Sequence, residues 1–225
     1  MQEVKVQSEL EVRDCGLMGY REALSLQQDL VEQRAKDQIA NTVLILEHPP
    51  AVTLGVRKDL NELLVSEEIL KQRGIELVKV RRGGGCTAHN PGQVVLYPII
   101  KLPSLGFGVN DYIRELEAVG VELLEQLGVT AERRAGLPGL WTGRKKIGSI
   151  GVRIRRQVTY HGMAINIKND LSIFETIVPC GLKSVQITNV LKETPAEYSM
   201  AQVKQKLARL CVKHWASQNG ELVSS

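Results

Sequence analysis

Apolar residues recur along this chain with two different periods, and the periods divide it into helices and strands. Leu17, Tyr20, Leu24 and Val31 return at near-helical spacing through a polar stretch, which predicts an amphipathic helix over about 19–36. Thr42-Val43-Leu44-Ile45-Leu46-Glu47 is a continuous apolar run and predicts a buried strand, stopped by His48-Pro49-Pro50. A short helix is expected between Ser66 and Gly74. Ile113, Leu116, Leu123, Leu124 and Leu127 form the apolar face of a second long helix, with Asn110 as its N-cap and Gly128 at its end. Trp141-Thr142, the turn Gly143-Arg144-Lys145 and Lys146 to Ile154 predict a hairpin. A further strand covers about 157–167. From Ser199 to Trp215 a closing helix turns Val203, Leu207, Leu210 and Trp215 inward. Strands and helices mix without strict alternation. The pattern therefore predicts an α+β domain over 1–225, a mixed and largely antiparallel sheet with flanking helices.

The centre of this pattern is Arg81-Arg82-Gly83-Gly84-Gly85-Cys86-Thr87-Ala88-His89-Asn90-Pro91-Gly92-Gln93, between the strand-like runs Ile75–Val80 and Val94–Ile100. Glycines let backbone approach a ligand closely, and two arginines at the mouth add charge and donors. Such a loop is expected to bind a small molecule with a polar end.

Composition narrows the choices. The chain has 225 residues, 43% hydrophobic and 24% charged, enough for a substantial core and ordinary for a globular protein. A net charge of +4 suits an acidic protein partner at least as well as nucleic acid, and 4% aromatics argue against a single-strand binder. Apolar residues nowhere continue long enough for a membrane span, and Met1-Gln2-Glu3-Val4-Lys5 does not begin a secretory signal. The four cysteines, Cys15, Cys86, Cys180 and Cys211, are widely spaced and form neither a disulfide framework nor a zinc spacing. A reducing, cytoplasmic setting without nucleic acid or membrane partners is expected.

Two residues carry candidate chemistry. Cys180 lies in Pro179-Cys180-Gly181, a sharp turn from which a thiol can project into a pocket. Isolated cysteines are mostly small buried hydrophobes, and Cys15, Cys86 and Cys211 are read so. Strand alternation turns Lys146 inward beside Arg144 if Lys145 faces solvent, and a buried amine there is a candidate base. A cationic lysine beside Cys180 would instead favour the thiolate. His89 and His161 lack carboxylates at ligand spacing and make no metal site; structural roles suit them better than catalytic ones.

Together these segments resemble the lipoyl (octanoyl) transferase family. The resemblance rests on Arg82-Gly83-Gly84-x-x-Thr87-x-His89-x-Pro91-Gly92-Gln93, Lys146-Ile147-Gly148-Ser149-Ile150-Gly151, His161-Gly162-Met163-Ala164-Ile165-Asn166 and Pro179-Cys180-Gly181. Glu47-His48-Pro49-Pro50-x-x-Thr53-Leu54-Gly55 is similar too. The order and spacing hold across most of the chain. The resemblance implies the fold of lipoate and biotin protein ligases. It also implies transfer of an octanoyl group from acyl carrier protein to a lysine of lipoyl domains, those of 2-oxoacid dehydrogenases and the glycine cleavage H protein. It places Cys180 as the acyl-thioester nucleophile and Lys146 as its activator, with no cofactor and a monomeric enzyme. Arg82, Gly83, Gly84, Gly85, Cys86, Thr87, Ala88 and His89 would line the acyl substrate. So would Ser149, Ile150 and Gly151, and Gly162, Met163 and Ala164, with His161 in support. Asn90 stands where the family has glycine, and Gly85 and Ala88 replace a longer polar residue and an aromatic one, which would widen the pocket. The rival readings are an ATP-dependent lipoate ligase, a lipoyl amidotransferase, and a non-catalytic acyl-binding module on the same fold.

Overall fold

The computed structural model describes residues 10–134, 136–182 and 185–216; the side chain of Cys180 lies outside the described residues. The chain runs β1 (Glu11–Leu17), α1 (Tyr20–Ala35), β2 (Thr42–Glu47), β3 (Ala51–Leu54), β4 (Glu62–Leu63), α2 (Glu67–Gln72), β5 (Glu76–Lys79), β6 (Thr87–His89) and β7 (Gln93–Ile99). It continues through α3 (Val109–Gln126), β8 (Glu132–Arg134), β9 (Leu137–Thr142), β10 (Lys145–Arg155), β11 (Val158–Asn166), β12 (Ile177–Val178), α4 (Val190–Glu193) and α5 (Met200–Trp215).

Seven strands form the main sheet in the order β1-β2-β7-β11-β10-β9-β8. Only the β1–β2 pair is parallel. Its central strands are apolar on both faces because helices cover both. Val43 and Ile45 of β2 with Val94 and Leu96 of β7 pack under α3 and α5 against Leu116, Leu123, Leu207 and Trp215. The alternate residues Leu44, Leu46, Val95 and Tyr97 pack under α1 against Ala23, Leu30 and Val31. That period of two explains why these runs are continuous in sequence. A second sheet, β5-β3-β6, and the short pair β4–β12 stand over a smaller core with α2.

Several expectations change. Leu17 ends β1, 61% exposed, and is not on the helical face. The second long helix starts at Val109, before the expected cap Asn110. Asp111 accepts the Gly108 N–H at 3.0 Å and closes the first turn from outside, so the helix begins earlier. The runs flanking the glycine-rich loop form the strands β5 and β7. β5 and β7 belong to different sheets, because Thr87-Ala88-His89 forms its own strand against Ala51–Thr53. The hairpin over β9 and β10 and the closing helix capped by Ser199 agree with the pattern. Among the described residues no helix is long and apolar enough to cross a membrane.

Candidate functional site

The glycine-rich loop leaves the small sheet and lies across β10. Gly83 N–H donates to Val152 O at 2.9 Å. A Cβ on Gly151 would stand 2.9 Å from Gly83 O, so the two backbones meet at a distance only glycine allows. Arg82 holds the loop in this shape. One guanidinium nitrogen donates to Gly83 O and Gly85 O (3.1 and 2.7 Å), the other to Thr53 O and Thr53 Oγ1 (3.0 and 2.7 Å). The expectation of two arginines at a charged mouth is thereby corrected. Arg81 is exposed, whereas Arg82 is 6% exposed and its terminal nitrogens tie the loop's carbonyls to Thr53 of β3.

An outer cavity of ≈ 500 Å³ opens beneath this loop. Gly83, Gly84, Leu60, Ile113, Leu137, Pro138, Ile150, Gly151 and Val152 line it, together with Lys146 and with Gly181 and Leu182 of the Pro-Cys-Gly turn. Lys146 is 3% exposed, as the alternation of β10 predicts, and Lys145 is half-exposed and paired with Glu193 at 2.9 Å. The Arg144 side chain instead lies exposed in the hairpin turn, since that turn carries it beyond the paired strand. Lys146 Nζ donates to Pro138 O at 3.2 Å and lies 5.5 Å from the centre of the Trp141 ring. Gly139 makes room for it: at φ +130°, a Cβ there would fall 2.8 Å from Lys146 Cε. A register shift between Lys146 and Gly148, a β-bulge, aims this part of the strand.

The chain after the turn is fastened to Lys146 itself. Lys146 N–H donates to Gln186 O at 2.8 Å, and Thr188 N–H donates to Lys146 O at 3.0 Å. Before the turn, Val178 pairs with Glu62, and the thiol of Cys86 lies 3.1 Å from Val178 O. Pro179–Gly181 is therefore a single 3₁₀ turn suspended between two anchored segments. The nucleophile assignment to Cys180 concerns a side chain outside the described residues; its backbone belongs to this turn.

Ile150 and Gly151, which line the outer cavity, also line a second, inner chamber of ≈ 20 Å³. Arg82, Thr87, His89, Ser149, His161, Gly162, Met163 and Ala164 line it, all singled out from sequence. Gly85, Cys86 and Ala88 line neither space. Cys86 and Ala88 are fully buried in the small core, because β6 turns them towards Val52 and Ile177. Gly85 is packed onto Leu60, where a Cβ would come within 2.4 Å.

Tyr20, Tyr97 and His48 complete the chamber surroundings, and sequence reasoning placed Tyr20 only on a helix face. His48 Nδ1–H donates to Met18 O, so its Nε2 accepts from Tyr97 O–H, both at 2.8 Å. The Tyr20 hydroxyl interacts with Tyr97 and Arg82. His89 donates through Nδ1 to Gln93 Oε1 at 2.8 Å, because the Gln93 amide nitrogen is engaged with Ala88 O and Asn166 Oδ1. Burial pushes His48 down to about 4 and holds His89 well below the ordinary range. His161, pushed down to about 3 by burial and then by Arg82 and Arg153, differs from the others. It is 1% exposed, and neither ring nitrogen has a hydrogen-bond partner among the described residues. Its φ of +54° breaks the strand's alternation and stacks its ring on its neighbour Tyr160, with centroids 4.8 Å apart. Gln27 of α1 accepts its backbone N–H at 2.7 Å. Such a backbone costs on the order of 1 kcal/mol and is sustained by its surroundings.

Asn90, the departure from the family pattern, is 7% exposed. It donates to Asp170 O at 2.7 Å and accepts from Asn169. Asn166 in turn donates to Thr188 O at 3.0 Å, so this amide network braces the segment that returns to Lys146. Among the described residues no group of three or more His, Cys, Asp or Glu is placed to hold a metal ion.

Residues 19–211 match the family described as lipoyl protein ligase A/B catalytic domain. The chain is 45% identical over 188 residues to the mitochondrial octanoyltransferase LIP2 of Arabidopsis thaliana, covering 82% of this chain and 79% of the relative. It is 40% identical over 183 residues to the octanoyltransferase of Desulfovibrio desulfuricans, covering 80% and 76%. Among solved structures it resembles a lipoate-protein ligase A bound with ATP, with a TM-score of 0.68 at 17% identity over 92% of this chain and 85% of that one. The biotin protein ligase of Aquifex aeolicus gives 0.51 at 11% identity over 92% and 68%. At these identities the structural likeness is one of fold.

Proposed function

This chain belongs to the lipoyl protein ligase A/B catalytic-domain family, and we propose that within it the protein is an octanoyltransferase working through a Cys180 thioester. The donor is octanoyl-acyl carrier protein, and the acceptor is a lysine on lipoyl domains of 2-oxoacid dehydrogenases and of the glycine cleavage H protein. The setting is reducing and cytoplasmic, and the working unit is a monomer. One observation carries the reading: Lys146 and the residues immediately after Cys180 line a single, largely apolar cavity.

The acyl chain lies in the outer cavity with its thioester carbonyl beside Lys146. The Cys180 thiol gives its proton to the Lys146 amine, and the thiolate attacks the carbonyl carbon. The bond to the carrier's sulfur breaks, and that sulfur leaves as a thiol with the proton from Lys146. The acceptor amine then attacks the Cys180 thioester; an amide forms, and the Cys180 thiol is regenerated. A thioester becomes an amide, which is downhill, so ATP has no part in the cycle. Splitting the transfer lets two protein partners use one site in turn.

Arg144, Lys145, Arg153, Arg155 and Arg156 form a basic surface that suits an acidic carrier, and several of them are also engaged within the chain. Arg155 and Arg156 share Glu32 (2.9 and 2.8 Å), Lys145 pairs with Glu193, and Arg153 donates to Arg81 O. Arg144 and Arg81 are exposed, as are Arg155 and Arg156, and charge reversal at Arg144 and Arg81 should slow carrier docking.

The test is to mix the protein with octanoyl-acyl carrier protein and measure its intact mass. One octanoyl group should be gained, and none by Cys180→Ser. Transfer that proceeds only from free octanoate with ATP overturns the reading.

A further inference from the structure

We propose that the inner chamber is the end stop of the acyl channel, and that His161 sets the longest chain the enzyme accepts. The inference rests on the octanoyl-transfer reading and deepens it. The outer cavity is lined chiefly by apolar groups such as Leu60, Ile113, Leu137 and Val152, and each methylene placed there leaves water for a favourable surface. Beside Ile150 and Gly151 the space narrows, and its walls stay mostly apolar, with Val95, Met163 and Ala164 among them. The chamber is ≈ 20 Å³, about the room one water needs, and its walls include Tyr20, Arg82, His89 and His161. The Tyr20 hydroxyl and the two terminal guanidinium nitrogens of Arg82 are engaged, whereas Arg82 Nε has no partner among the described residues. Both ring nitrogens of His161 lack partners among the described residues. A neutral imidazole carries one donor and one acceptor, and a water in the chamber satisfies them.

A chain ending at Ile150 leaves that water in place. A longer chain displaces it with methylenes, which offer the imidazole nothing, and a buried polar group left unpaired is expensive. The barrier is therefore one of size, reinforced by the unpaired imidazole on an otherwise mostly apolar wall. The loss of an aromatic at Ala88, which from sequence would widen the pocket, has no bearing on length, because Ala88 sits in the small core away from both spaces. The positive φ of His161 fits this role. It keeps the ring on the chamber side, where strand alternation would have turned it away.

The experiment compares kcat/KM for octanoyl, decanoyl and dodecanoyl thioesters of acyl carrier protein in the full chain and in His161→Ala. Wild type should prefer octanoyl over dodecanoyl by at least about tenfold, and His161→Ala should raise the dodecanoyl-to-octanoyl ratio by about tenfold. His161→Leu keeps bulk while removing both nitrogens; it should move the ratio the same way by a smaller factor, and it carries the test if the alanine variant fails to fold. Ratios unchanged within twofold in a folded variant overturn the inference. So does an equal loss for every chain length, which would assign His161 to the thioester chemistry. A wild-type protein that transfers no acyl group at all refutes the functional reading instead.

Discussion

Gly139→Ala tests whether the position of Lys146 matters as much as its identity. Gly139 sits at φ +130°, a conformation closed to side chains. A methyl there would lie 2.6 Å from Gly148 O and 2.8 Å from Lys146 Cε. The backbone strain costs about 1–3 kcal/mol, and relieving the contact with a strand carbonyl adds on the order of 1 kcal/mol. Together they should lower the melting temperature by roughly 5–15 °C for a chain of this size. The Lys146 side chain is the softer of the two obstacles and should give way by a sizeable fraction of an ångström. A displacement of about 1 Å at a reacting group costs on the order of 10²-fold in rate. The assay is single-turnover acylation by octanoyl-acyl carrier protein, run well below the variant's own melting temperature so that unfolding does not mimic loss of chemistry. A folded Gly139→Ala protein that acylates at the wild-type rate would refute the placement of Lys146 in the reaction.

Lys146→Met keeps the length and bulk of the side chain, so melting should shift little while acylation slows by about 10²–10⁴-fold; near-normal turnover removes the amine from the mechanism. Arg82→Lys replaces a fork bonded to four acceptors by a single ammonium, and melting should fall by roughly 5–10 °C, with KM rising as the loop loosens. Cys86→Ala removes the thiol against Val178 O and leaves a small void; stability measured in urea should fall by about 1–2 kcal/mol, and an unchanged midpoint would deny the contact any weight. His48, His89 and His161 are buried neutral, with folded values below the unfolded value near 6.5, so the unfolded chain binds more protons as pH falls. Stability is thus full above about pH 6.5 and declines towards pH 5, by up to about 1.4 kcal/mol per pH unit from each histidine. Urea midpoints at pH 7, 6 and 5 check this, and a flat profile over that range contradicts the burial of these rings.

What was legible in the sequence depended on how each residue meets its surroundings. The run over 42–47 announced itself because both faces of β2 are covered. Ser199 announced the closing helix because its hydroxyl has a local task, accepting the Gln202 N–H. β1 gave little signal, since it is a half-exposed edge strand with charges along it. β3 and β6 are too short to show a period, and their pairing joins residues far apart in the chain. Around the cavities, glycines and reactive residue types marked segments that the fold brings together, yet not how those segments pack. Nothing in the letters Arg81-Arg82 says which guanidinium is consumed by backbone carbonyls. The left-handed backbone of His161 and the amide network from Asn90 to Thr188 arise only from tertiary packing.

The indole of Trp141 lies near two basic groups, the Arg134 guanidinium 4.9 Å from its ring centre and Lys146 Nζ at 5.5 Å. The chain's other tryptophan, Trp215, is sealed in the helical core. On the proposed mechanism one fluorophore therefore stands beside the amine that takes the proton, and the other is buried away from it. Emission from Trp141 should change whenever that amine gains or loses its charge, so the acyl cycle can be watched in real time without a label.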